Sequence, residues 1–219
     1  MISRRSIAIA TLVAMFLMAG SAFADSIDIL VGDKDGFGFS PACPDTGTCT
    51  ALSNPIIDNR SAAEMAATNG AQITDSYSSI FPGFTPVGEG ASANVLVPFT
   101  GTLLSATLSF AGGDFQSDVF GALGANINGI PVSFNFPDGR FVTAIHTFTL
   151  TAAELAAANA AGSVILHLDR GSSGDFVAFD WFELTGTTAA VPEPGSLILL
   201  GSVLAGFGLM RGVKALNRF

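Results

Sequence analysis

Alternation with a period of two is the feature that most restricts this chain. In TLLSATLSF, Leu104, Ala106, Leu108 and Phe110 are predicted to share one side, with Ser105, Thr107 and Ser109 on the other. A helix turns about 100° per residue and cannot gather such a pattern on one face, whereas a pleated strand sends successive side chains to opposite faces. SIDILVG repeats the pattern with Ile27, Ile29 and Val31, and ANVLVPF, FVTAIHTFTL, SVILHLD and DFVAFDWFEL read as further strands. Asn128-Gly129 between Ile127 and Ile130 is the dipeptide that accepts positive φ in a tight hairpin. About eight short strands without a long βαβ repeat predict a mainly β fold, an antiparallel β-sandwich over residues 25–185.

Two short alanine-rich helices are expected between strands. Thr151 with Glu154 forms a capping box that Gly162 closes, and Ser61 with Glu64 repeats the arrangement before Gly70. They are predicted to be connections packed on the sandwich.

The first 24 residues, MISRRSIAIATLVAMFLMAGSAFA, combine Arg4 and Arg5, an apolar stretch and a small-x-small Ala22-Phe23-Ala24. That is the pattern of a signal peptide, and the mature chain is expected to begin near Asp25. Between Asp25 and Ala190, four basic residues face seventeen acidic ones, a net of −13. Phosphate contacts need cations to neutralise them, so a nucleic-acid partner is excluded. An acidic exported body suits hard cations that take oxygen ligands.

Cys43 and Cys49 lie six positions apart in SPACPDTGTCT. In an oxidising compartment they are expected to form a disulfide rather than a metal pair. GDKDGFG sets Asp33 and Asp35 on one side of a tight loop, and Asp180 on the last strand is placed to complete a calcium site if the first and last strands adjoin; the alternative is a solvated Asp-rich turn. His146 and His167 are the only histidines and neither stands in a hydrolase or zinc motif, so no catalytic residue is assigned and an enzyme is not expected. Among the aromatics are nineteen Phe but one Trp and one Tyr, which favours core filling and leaves Trp181 as the candidate ligand contact. Alternation predicts Phe179 and Trp181 on one face of the last strand, opposite Asp180 and Phe182.

After a flexible linker expected over 186–190, residues 191–219 read VPEPGSLILLGSVLAGFGLMRGVKALNRF. Leu197 to Met210 is apolar enough for a short membrane helix, and Arg211, Lys214 and Arg218 follow as stop-transfer charges. Pro192 and Pro194 hold Glu193 in an extended stretch outside that helix. A plain C-terminal anchor fits the hydropathy equally. In tripeptide, apolar helix and trailing basic residues, this segment resembles the PEP-CTERM sorting signal of Gram-negative bacteria. That resemblance implies a membrane-tethered intermediate, processing by an exosortase, and delivery to the cell surface or exopolysaccharide matrix. The end of the body, with Phe179-Asp180-Trp181-Phe182-Glu183-Leu184, resembles the last strands of galactose-binding-like modules, which implies a jelly roll. The function expected is a structural or adhesive surface protein. The alternative is a carbohydrate-binding module acting on matrix polysaccharide.

Overall fold

The computed structural model describes residues 24–53, 58–66, 72–77, 91–171, 173–189 and 201. Asp25–Thr188 forms one compact unit. A second unit comprises Met1–Ala24 and Ala189–Phe219, of which Ala24, Ala189 and Gly201 are described. Apart from Ala24 and Gly201, the expected signal peptide and membrane helix lie outside the described residues, as does Gly70. Among the described residues, no helix is long and apolar enough to cross a membrane.

Among the described residues, nine strands make two antiparallel sheets: β1 (Asp25–Gly32), β2 (Gly47–Thr48), β3 (Ser92–Pro98), β4 (Leu103–Gly113), β5 (Gly124–Ile127), β6 (Ile130–Pro131), β7 (Val142–Thr149), β8 (Ser163–Asp169) and β9 (Ala178–Thr188). One sheet has the order β1-β9-β4-β7-β2 and the other β3-β8-β5-β6. With the two-residue β2 set aside, this order is the double Greek-key wind of a jelly roll, in which first and last strands pair. The main core lies between the sheets, where Val95, Val97, Leu166 and Leu168 meet Leu108, Phe110, Phe182 and Leu184. Phe110 is its hub, with ring centroids 5.3 Å from Phe134, 5.6 Å from Phe182 and 5.7 Å from Phe179. These contacts absorb many of the phenylalanines.

Asn128 and Gly129 both have positive φ and turn β5 into β6. Helix α3 (Ala152–Ala161) carries the full Thr151/Glu154 capping box and ends on Gly162 in the left-handed region. Helix α1 is described over Ala62–Ala66, and Ser61 and Glu64 bond reciprocally at its start; its expected end lies outside the described residues. A four-residue α2 (Ser117–Phe120) has no side-chain cap and no clear sequence signal.

Two bulges break the expected alternation. On β4, Leu103 stands opposite Thr188 and Ser105 opposite Thr187, so Leu104 is an extra residue. Leu103 is then buried and Leu104 is exposed, contrary to the simple period. On β9, Phe182 stands opposite Phe110 and Phe179 opposite Gly112, leaving Asp180 and Trp181 to face the single Ala111. Phe179 and Phe182 therefore both enter the main core, while Ala178 and Trp181 pack in a second cluster with Phe37, Leu52, Cys43 and Cys49. Strand β9 also runs on to Thr188, pairing Thr188 with Asp25 and with Leu103, so residues 186–188 belong to the sheet and not to a linker.

Candidate cation site

Four acidic residues meet where β1 and β9 run side by side. Strand β1 ends at Gly32, whose φ of +79° turns the chain sharply. A Cβ there would lie 2.6 Å from the Asp180 carbonyl oxygen and 2.8 Å from Thr74 Cγ2, so only glycine permits this approach. The loop that follows carries Asp33 and Asp35. Phe37, fully buried in the second cluster, anchors it, and the Phe37 backbone N–H donates to Asp180 Oδ1 at 3.0 Å. The Gly38 N–H donates to Asp35 Oδ1 at 2.8 Å. The β9 bulge sets Asp180 against this loop.

A third stretch completes the group. The Asp75 N–H donates to the Phe179 carbonyl at 2.7 Å and the Asn59 N–H to the Asp75 carbonyl at 2.9 Å, which docks residues 72–77 beside the bulge. One carboxylate oxygen each from Asp33, Asp35, Asp75 and Asp180 then lies within 4.8 Å of all the others. Asp33 and Asp35 are exposed, whereas Asp75 is 2% and Asp180 0% exposed. Neither Asp75 oxygen has a hydrogen-bond partner, and neither does Asp180 Oδ2.

The electrostatic consequence is severe. Burial, followed by the charges of Asp35, Asp180, Glu64 and Asp33, pushes the Asp75 carboxyl up to about 9. Burial first, and then Asp45 and Asp35 against the Phe37 N–H, pushes Asp180 up to about 7. Asp33 is raised as well, by burial and by Asp35 and Glu64. A buried carboxylate with no partner must hold a proton or meet a cation. Calcium bonds carboxylate oxygens at about 2.4 Å, so opposite ligands stand at most about 4.8 Å apart. The four carboxylates lie within that limit, and an all-oxygen donor set suits a hard cation better than zinc or copper.

The structure thus brings together Asp33, Asp35 and Asp180, and adds Asp75, which the sequence reading missed. Trp181 is 3% exposed, and Lys34 Nζ sits 4.4 Å from its ring centroid while pairing with Glu183 at 2.6 Å. It is a packed side chain under a cation and not the open contact expected of it. Cys43 and Cys49 are bonded to each other in the same cluster. His146 stacks on Phe136 at 3.7 Å and its Nε2 lies 2.7 Å from Asp138, while His167 pairs with Asn94 at 2.8 Å.

Residues 190–211 match the PEP-CTERM protein-sorting motif. The chain carries a PEP-CTERM tail. A motif of that kind implies an exosortase-type processing enzyme and an exported, membrane-associated sorting intermediate. Pro192, Glu193, Pro194 and Arg211 fall within the match, and Lys214 and Arg218 follow it. These residues lie outside the described ones, so the PEP-CTERM assignment rests on sequence. No curated protein and no solved structure matches the chain.

Proposed function

We propose that this is a non-catalytic, exported protein with a structural or adhesive role at the surface or in the extracellular matrix of a Gram-negative bacterium. In this reading Asp33, Asp35, Asp75 and Asp180 hold a calcium ion that locks the sandwich, and an exosortase-type enzyme removes the tail. One observation carries the calcium assignment: Asp75 is buried with both oxygens unpartnered, inside a group of four carboxylates gathered within 4.8 Å. The all-carboxylate donor set supports a structural ion. The carbohydrate-binding alternative relies on an open aromatic platform, and the covered Trp181 does not supply one.

Calcium at about a hundred times its dissociation constant stabilises a folded chain by about 2.7 kcal/mol. For a body of this length that raises the melting temperature by roughly 5–10 °C. Thermal melts of the purified chain in calcium and in chelator check this, and coincident midpoints remove the ion. Mass spectrometry of the exported protein checks the tail. A C-terminus upstream of Arg211 is expected, and recovery of an intact Phe219 end from cells with an active sorting enzyme overturns the processing.

A further inference from the structure

We propose that the calcium ion closes the fold, so that this body completes folding only after it has left the cytoplasm. The inference rests on the reading of the acidic group as a calcium site. Its ligands come from three separate stretches: Asp33 and Asp35 follow β1, Asp75 lies in the 72–77 segment, and Asp180 is in β9. An unfolded chain has no such site, so the free energy of binding becomes free energy of folding.

The geometry also works against closure without the ion. Two of the carboxylates are out of water, three of their four oxygens have no donor, and all four groups stand within 4.8 Å. The same oxygens that lack partners in the empty site become ligands in the filled one. The group joins the first strand, the last strand and the 72–77 segment, so its closure concerns the whole sandwich and not one loop. Asp33 and Asp35 are exposed, and calcium sites of exported modules bind at roughly 10⁻⁴–10⁻³ M, far weaker than cytosolic sensors. A site of that class stays unloaded inside the cell and fills outside. At ten times its dissociation constant, calcium multiplies the folding equilibrium by about eleven.

Pulse proteolysis of the full chain in detergent tests this, in 1 mM calcium, in 1 mM magnesium and in chelator, with calcium binding followed by calorimetry. The expected result is a resistant body in calcium and about tenfold more cleavage in both magnesium and chelator. Asp75→Asn is expected to abolish the calcium response while cleaving no faster than the unaltered chain in chelator, because a neutral side chain of the same size replaces the unpartnered carboxyl. Should that variant fail to fold, Asp33→Asn, at an exposed ligand, is expected to weaken the calcium response in the same direction. Equal resistance in calcium and chelator, with calorimetric binding present, overturns this inference and leaves the site standing. No calorimetric binding overturns both. Protection by magnesium equal to that by calcium overturns the export gating, because magnesium is abundant on both sides of the membrane.

Discussion

Asp75 and Gly32 illustrate how a single side chain, or its absence, sets the chemistry of this fold. Asp75 contributes no hydrogen bond from its carboxylate, yet its backbone N–H and carbonyl tie the 72–77 segment to Phe179 and Asn59. Gly32 lets that segment, the Asp33 loop and β9 come within van der Waals distance. Replacing Gly32 by Ala adds a Cβ against the Asp180 carbonyl at a left-handed φ, a strain of roughly 1–3 kcal/mol. Urea unfolding of Gly32→Ala in saturating calcium is expected to show that loss together with a weaker calcium response. An unchanged midpoint contradicts the close approach. Asp33 and Asp35 were legible because GDKDGFG writes two carboxylates and three glycines into seven residues. Asp75 was not legible, because ITDSY has no spacing signal and one of the two main-chain bonds that place it reaches Phe179, more than a hundred residues distant. Trp181 was misread because one extra residue in β9 moves it to the opposite face from Phe179.

Among the elements, those encoded by local rules were foreseen and those that depend on partner strands were not. The caps of α3 follow from Thr151, Glu154 and Gly162, and the β5–β6 turn from Asn128-Gly129. Both bulges arise only when β4 and β9 pair, so no pattern within either strand announces them. Helix α3 is more than a connection. Asn159 on it accepts from the Leu103 N–H at 2.7 Å and donates to the Leu103 carbonyl at 3.0 Å, at the β4 bulge. Losing the Thr151 cap through Thr151→Ala is expected to cost about 1 kcal/mol. Equilibrium urea unfolding reads that cost, and a neutral result means that tertiary packing alone holds the helix.

For the whole molecule, burial sets the pH response. Asp75, Asp180 and Asp175 have carboxyls raised to about 9, 7 and 6, each chiefly by burial, whereas an unfolded aspartate titrates near 3.9. The folded chain therefore holds protons that the unfolded chain has released. The stabilisation from those protons is complete below about pH 4 and is lost as pH rises through the folded values. In chelator the body is expected to be more stable at pH 5 than at pH 8, measured as urea midpoints. Saturating calcium should narrow the gap by replacing protons at Asp75 and Asp180 and leave the part due to Asp175, which lies outside the site. Equal midpoints in chelator contradict the burial of these groups. The position of β9 has a mechanical consequence. It is flanked by β1 and β4, and Thr188, where the body hands over to the tail, lies at its end. Tension applied at Thr188 pulls this strand lengthwise between two neighbours, so the ladder bonds on both sides resist together in shear instead of parting one after another.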